Sequence, residues 1–258
     1  MIHKSCIFYL VNNNQIHLQR LKSSLQCLHE NFLKKYPYPV VFGHENLDED
    51  TKNSIREYAP KNHYFYNINF EIPNYSDDIR NKIPERFKGH WDENAFFSMG
   101  YRHMCRLFSG DIYKHDFFSN VKYLLRIDCD SYFTGNVSYD IFEEMHKSKA
   151  YYGTVGEEKD MDYVVEGLAD ASKDFFKEKY RSDIPYNGMF QTHFDLVDVE
   201  WIKASQYMDF YNFIEKTGNI YIKRWGDAPI KYQGMRNILD PKQIKIFSDL
   251  PYRHGGDL

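Results

Sequence analysis

Cysteine is scarce in this chain, and long apolar runs are missing from it. The four cysteines, Cys6, Cys27, Cys105 and Cys129, stand singly with no C-x-x-C pair, which favours reduced thiols in a cytoplasmic compartment over a disulfide framework. The apolar run within MIHKSCIFYLVNNNQ is about seven residues long, too short for a membrane-spanning helix, and no small-residue cleavage site follows it. We therefore expect a cytoplasmic protein without a membrane-spanning segment.

An excess of positive charge is missing as well. The 258 residues include 33 Lys and Arg against 37 Asp and Glu, giving a formal net charge of -4, and this argues against a nucleic-acid partner. Aromatic residues are abundant at 17%, which excludes a disordered chain. We expect one globular domain over residues 1–258, with a small molecule or a sugar as its partner.

Strand-like and helix-like segments alternate along the chain. Ser5 to Val11 predicts a first strand, and leucines at intervals of three and four after it predict an amphipathic helix. We also predict a helix over about 163–180, a strand over about 189–197 and a helix over about 200–216. The alternation implies an α/β fold with a parallel sheet. Residues 71–91, which include Pro73 and Pro84, predict a long functional loop.

The stretch YLLRIDCDSYF places two carboxylates directly after an apolar strand. In an extended segment Asp128 and Asp130 face the same side, because residues i and i+2 do so. Parallel sheets bind ligands beyond the carboxyl ends of their strands. Mg²⁺ or Mn²⁺ held by one or two carboxylates usually completes its coordination shell with phosphate oxygens. The spacing favours a divalent-cation site for a nucleotide diphosphate; the alternative is a pair that caps a turn.

Three more residues have both a functional and a structural interpretation. Asp227, in RWGDAP, lies at a loop-to-helix boundary, where an Asp commonly caps free N–H groups. His254 lies in a glycine-flanked tail and is either a metal ligand through its imidazole or simply solvated. Asp195 interrupts an apolar strand. A buried acid needs a partner, so Asp195 is either a hydrogen-bonding hub or a catalytic group.

Five blocks of the sequence, taken in order, resemble the fungal Golgi α-1,2-mannosyltransferases that extend yeast mannan and protein-linked glycans. The blocks are YRHMCRLFSGDIYKH (101–115), YLLRIDCDSYF (123–133), FDLVDVEW (194–201), RWGDAP (224–229) and FSDLPYRH (247–254). The resemblance implies a GT-A fold with a mixed, mainly parallel central sheet flanked by helices. It also implies retaining transfer of mannose from GDP-mannose to a glycan acceptor, using Mn²⁺ or Mg²⁺.

The resemblance further implies roles for individual residues. These are the metal ligands Asp128, Asp130 and His254, the catalytic residues Tyr101, Asp195 and Asp227, and the nucleotide-binding residues Leu10, Val11, Tyr101 and Asp130. Acceptor choice is expected to depend on loops such as 71–91.

The chain departs from the family pattern at several positions. At the metal motif the family has Glu-Pro-Asp and this chain has Asp-Cys-Asp, and at position 195 the family has Glu and this chain has Asp. At positions 253–254 the family has two adjacent histidines and this chain has Arg-His. At position 12 the family usually has Arg and this chain has Asn. Retention requires either a double displacement with Asp195 as nucleophile, or a front-face reaction in which the leaving phosphate helps to deprotonate the acceptor. In the second case Asp195 would stabilise the transition state. Another nucleotide-sugar donor, or binding without turnover, is the alternative function.

Overall fold

The computed structural model describes residues 4–88 and 96–257. Its strands are β1 (Ser5–Leu10), β2 (Val40–His44), β3 (His63–Asn67), β4 (Phe87–Lys88), β5 (Phe96–Phe97), β6 (Tyr123–Ile127), β7 (Ser131–Phe133), β8 (Tyr152–Thr154), β9 (Glu157–Lys159), β10 (Gly188–Phe190), β11 (Phe194–Asp198), β12 (Ile244–Ile246) and β13 (Tyr252–His254). Its α-helices are α1 (Gln15–Leu28), α2 (Glu49–Arg56), α3 (Asp77–Arg80), α4 (Met99–Ser109), α5 (Ile141–Ser148), α6 (Leu168–Phe176), α7 (Val199–Ala204), α8 (Gln206–Lys216), α9 (Asn219–Ile222) and α10 (Asp227–Ile238).

A central sheet of seven strands has the order β12-β8-β11-β6-β1-β2-β3. The neighbours β12 and β8, β6 and β1, β1 and β2, and β2 and β3 are parallel. Strand β11 is antiparallel to both of its neighbours, β6 and β8. The predicted α/β fold with a mixed, mainly parallel sheet is therefore confirmed.

Helices cover both faces of this sheet because its strands alternate apolar side chains between the two faces. In β1, Phe8 packs into a core formed with α4, α8 and α10, while Ile7 and Tyr9 pack into a second core with α1 and α5. All three side chains are fully buried. A strand that is apolar on both faces is typical of a parallel sheet between two helical layers.

Three element boundaries differ from the sequence-based predictions. The helix predicted over about 163–180 is shorter: it begins after Gly167, whose φ is +77°, and α6 ends at Phe176. The strand predicted over about 189–197 is two strands, β10 and β11, which belong to different sheets. The helix predicted over about 200–216 is interrupted at Ser205, where the hydroxyl accepts the N–H of Tyr207 and begins a second helix.

The predicted loop at 71–91 contains α3 and β4, and its residues 89–91 lie outside the described residues. Within the described ranges, every helix is too short or too polar to cross a bilayer.

The topology brings distant segments to the carboxyl edge of the central sheet. Strands β1 and β6 lie side by side and parallel, so Leu10 and Ile127 end at the same edge. Strand β7 follows β6 after a short turn, and β13 pairs with β7 in an antiparallel ladder that sets His254 opposite Ser131. The two acids of the turn and the histidine thus meet although they are far apart in sequence.

Candidate active site

Asp128, Asp130 and His254 form a cluster that could hold a metal ion. One ligand atom from each residue lies within 4.8 Å of the others. The His254 Nδ1 is 3.6 Å from the Asp130 Oδ1 and 3.1 Å from the Ser131 hydroxyl. Two carboxylates and one imidazole suit Mn²⁺ or Mg²⁺, which prefer oxygen ligands, and Mn²⁺ also accepts nitrogen. His254 lies in β13 rather than in a free tail, and 36% of its side chain is exposed.

Arg126, the fourth residue of β6, joins this cluster to the first residue of α10. Its Nε donates to the Asp128 Oδ1 over 2.9 Å and its Nη1 to the Asp227 Oδ2 over 2.6 Å. The guanidinium carbon lies 3.8 Å from the centroid of the Phe108 ring. A buried guanidinium is stable here because two carboxylates and an aromatic face replace its hydration.

The Asp227 carboxylate is ionised, although it is buried. Burial alone would raise its pKa, but Arg126 and Lys231 outweigh that effect, so the pKa lies below its usual value. The N-cap of α10 is Gly226, and Asp227 is the first helical residue. Asp227 therefore pairs with Arg126 instead of capping the helix, and it contributes a negative charge to the wall of a cavity.

Tyr101 is held by Arg224. The Arg224 Nη2 donates to the Tyr101 hydroxyl over 2.7 Å, and its guanidinium lies over the rings of Phe97 and Tyr101 at 3.8 and 4.9 Å. Burial raises the pKa of Tyr101, so the phenol stays neutral. Arg224 has a φ of 59°, a left-handed conformation that is rare for a residue other than glycine and is enriched at functional sites.

Two cavities meet at Tyr101, Met104 and Asp128, which line both of them. The smaller, of about 440 Å³, is lined by the end of β1 and by α1, including Leu10, Val11, Asn12, Arg20, Cys129 and Asp130. The larger, of about 750 Å³, is lined by residues that include Arg126, His193, Arg224, Asp227, Tyr252 and His254. The cluster of Asp128, Asp130 and His254 thus lies at the junction of two cavities, each large enough for part of a nucleotide sugar.

Asp195 has a different environment. Its carboxylate, 3% exposed, accepts a hydrogen bond from the fully buried ammonium of Lys231 on α10. The Lys231 Nζ is also 3.1 Å from the Tyr113 hydroxyl. Asp195 is not among the described residues that line either cavity. The hydrogen-bonding-hub interpretation therefore fits the geometry, and a catalytic role for Asp195 stays a prediction.

The structure brings most of the predicted residues together. Tyr101 and Asp227 line the larger cavity, Leu10, Val11 and Asp130 line the smaller one, and the three predicted metal ligands form the cluster.

Sequence reasoning missed Arg126, Lys231 and His193. A charged residue within an apolar strand was a usable signal for Arg126, while nothing near Lys231 in the sequence indicates its partner. His193 stacks on His254 with ring centroids 4.0 Å apart. Burial, with His254 and Arg126 nearby, lowers the pKa of His193 to about 3.

A sequence model of the glycolipid 2-alpha-mannosyltransferase family matches residues 2–258. The chain belongs to this family. Among curated relatives, the probable mannosyltransferase KTR4 of Saccharomyces cerevisiae is 28% identical over 97% of this chain and 60% of its own length. The glycolipid 2-alpha-mannosyltransferase of the same yeast is 24% identical over 97% and 60%. The chain thus spans about 60% of the length of these two relatives.

Solved structures agree with the GT-A prediction. The mannosyltransferase Ktr4p from S. cerevisiae in complex with GDP superposes with a TM-score of 0.85, at 25% identity over 98% of this chain and 71% of that chain. Core-mannan synthase A from Aspergillus fumigatus, in its Mn/GDP form, gives a TM-score of 0.84 at 23% identity over 97% and 74%. A mouse xyloside xylosyltransferase, at 15% identity, still gives 0.52 over 94% and 84%. The glycosyltransferase fold is therefore established for this member of the family.

Proposed function

We propose that this chain transfers mannose from GDP-mannose to a hydroxyl of a glycan acceptor, with retention and with Mn²⁺ or Mg²⁺. The observation that carries the proposal is the position of the Asp128, Asp130 and His254 cluster at the junction of two cavities. The structure of Ktr4p in complex with GDP supports a guanine nucleotide. The chain spans about 60% of the length of its curated relatives, and we extend the proposed mannosyl transfer to the whole protein as well.

The smaller cavity would bind the nucleotide. Leu10 and Val11 lie at the carboxyl end of β1, where α/β sheets bind their ligands. The family usually has Arg at position 12, and this chain has Asn. Arg20 lines the same cavity and contacts Asp130 at 3.8 Å. We therefore assign to Arg20 the positive charge that faces the diphosphate.

Asp128, Asp130 and His254 would hold the ion, which when bound neutralises the charge that develops on the diphosphate leaving group. Arg126 keeps Asp128 oriented through its 2.9 Å hydrogen bond. Burial raises the pKa of Asp128, with Arg126 and His254 acting in the opposite direction. A cation at this site favours the ionised carboxylate further.

The larger cavity would bind the donor sugar and the acceptor. The Asp227 carboxylate accepts hydrogen bonds from sugar hydroxyls, and the neutral Tyr101 phenol donates one to the leaving phosphate. Asp195 would have to leave Lys231 to reach the sugar. Its burial and ion pair therefore favour the front-face reaction, in which the leaving phosphate takes the acceptor proton, over a double displacement.

The test is release of GDP from GDP-mannose by the purified chain with Mn²⁺ and with EDTA, beside UDP-sugar and other GDP-sugar controls. We expect manganese-dependent release from GDP-mannose alone. NMR of the product glycoside would give its anomeric configuration, and mass spectrometry of the enzyme incubated with donor alone would find no mannosyl adduct. Binding of GDP without release from any donor, with and without mannoside acceptors, would contradict the proposal and indicate a protein that binds without turnover.

A further inference from the structure

His193 contacts two of the chain segments that build the metal cluster. It lies between β10 and β11, and its carbonyl oxygen accepts the backbone N–H of Asp128 over 3.3 Å. The same carbonyl accepts the Tyr252 hydroxyl over 2.8 Å. One backbone oxygen thus connects the turn that contains Asp128 with the strand that contains His254.

The His193 side chain makes a second connection. Its ring lies parallel to the His254 ring, with a centroid separation of 4.0 Å and an interplanar angle of 6°. The His193 side chain also contacts Tyr252: its Nδ1 is 3.2 Å from the Tyr252 hydroxyl oxygen. The Tyr252 hydroxyl donates its proton to the His193 carbonyl, so toward the His193 ring its oxygen acts as an acceptor. We therefore assign the proton of the neutral His193 ring to Nδ1.

The stack restricts the His254 imidazole without occupying its nitrogens. The His254 side chain is 36% exposed, and a side chain exposed to this extent can rotate. Binding a metal ion costs conformational entropy for each ligand side chain that must be immobilised. A parallel ring at van der Waals distance blocks rotation of His254 out of its plane. Outer-shell groups that orient metal ligands, mostly by hydrogen bonds, typically change metal affinity by about 10–100-fold, and we expect the lower end of that range for this stack.

We propose that His193 is a positioning residue of the metal site, which fixes the plane of the His254 imidazole by ring stacking and the turn of Asp128 through its carbonyl. The inference rests on the proposed metal dependence. His193 reaches the ligand from the turn between β10 and β11, a segment separate from both the turn of Asp128 and the strand of His254.

The test measures Mn²⁺ affinity in the presence of GDP, from the electron paramagnetic resonance signal of free Mn²⁺. Variant H193A removes the ring, and H193Q removes it while keeping most of its volume. Both are expected to weaken Mn²⁺ binding at least about tenfold. H193F keeps an aromatic ring against His254 and is expected to stay within about threefold of the unchanged protein.

The matched control is H103A. His103 is also stacked, on Phe70 with planes 5° apart, and its Nδ1 is 2.9 Å from the Tyr221 hydroxyl, but it is not among the described residues that line the two cavities. We expect unchanged Mn²⁺ affinity in H103A. Thermal unfolding without metal identifies any variant that fails to fold.

Two results would overturn the inference: folded H193A and H193Q that bind Mn²⁺ as well as the unchanged protein, or H193F as weak as H193A. If the unchanged protein with GDP bound no Mn²⁺, the proposed metal dependence would fail together with the inference. The two failures are therefore distinguishable.

Discussion

The Lys231 ammonium donates a hydrogen bond to the Asp195 carboxylate in the core of the protein. Lys231 lies on α10, one helical turn after Asp227. This ion pair connects β11, the antiparallel strand of the central sheet, to α10. Burial lowers the pKa of Lys231, and Asp195 opposes that shift.

Replacing Lys231 by Met is expected to reduce the free energy of unfolding by about 3–5 kcal/mol, because Asp195 would keep a buried charge without its cation. The double variant K231M/D195L replaces both charges with apolar groups and is expected to recover most of that loss. Urea denaturation of the two single variants and the double variant measures the coupling. Additive losses would show that the two side chains do not stabilise each other.

Replacing Asp128 by Ala is expected to abolish manganese-dependent release of GDP and to leave the fold intact. Asp128 lines both cavities, so its loss removes a metal ligand without opening the core. The buried Arg126 loses one carboxylate partner but keeps Asp227, at 2.6 Å, and the Phe108 ring, which is why we expect the fold to persist. The matched control is D174A, at an exposed position of α6, which should keep full activity. Retained metal-dependent turnover in D128A would remove Asp128 from the metal site.

Replacing Tyr101 by Phe removes only the hydroxyl that accepts from Arg224 over 2.7 Å. The ring contact with Phe97, at a centroid distance of 4.7 Å, remains. The variant also lacks the hydrogen bond that the Tyr101 hydroxyl is proposed to donate to the leaving phosphate. A hydrogen bond to a charged group is worth about 1.5–3 kcal/mol, so we expect kcat/KM for GDP-mannose to fall by about 10–100-fold. An unchanged kcat/KM would leave Tyr101 as a packing residue only.

Stability is expected to decrease as the pH falls from about 6.5 to about 4, in part through His103. Burial lowers the pKa of His103 to about 4, below the value of 6.5 for an unperturbed histidine. In that interval the unfolded chain binds a proton that the folded protein does not, so the folded state loses stability. With its partial exposure, the effect of His103 is about 1–2 kcal/mol.

The measurement is the free energy of unfolding against pH for the unchanged protein and for H103F, in metal-free buffer. The variant should show a smaller decrease between pH 6.5 and 4. Identical slopes for the two proteins would mean that His103 titrates alike in the folded and unfolded states.

The sequence predicted those parts of the site that depend on local spacing. Asp128 and Asp130 follow an apolar strand at i and i+2, and both contribute to the cluster. They lie in the turn between β6 and β7 rather than in an extended segment, so the alternation of side chains in a strand is not the reason that they converge. His254 was assigned to the metal site by its position in a family block. The ladder between β7 and β13 that brings it there, with Ser131 and His254 separated by 123 positions, has no local signature.

The remaining differences have similar physical causes. Lys231 and Asp195 are 36 positions apart, and a Lys on a helix is usually solvated, so only tertiary packing could identify the pair. The segment 189–197 has apolar residues near both ends and reads as one strand, although the polar residues between Phe190 and Phe194 form a turn after which the chain enters another sheet. Ser205 is compatible with a helix interior, and its capping role becomes visible only from its hydrogen bond.

The ladder between β7 and β13 also has a consequence for biosynthesis. Chains emerge from the ribosome from the amino end, and the histidine of the cluster lies in the last strand of the structure. A nascent chain that already contains β1, β6 and both acids still lacks its imidazole ligand until β13 has emerged and paired. The strands of the central sheet thus all precede the imidazole ligand in order of synthesis, so a nascent chain that ends between β12 and β13 would contain the sheet and both acids without the full set of candidate metal ligands.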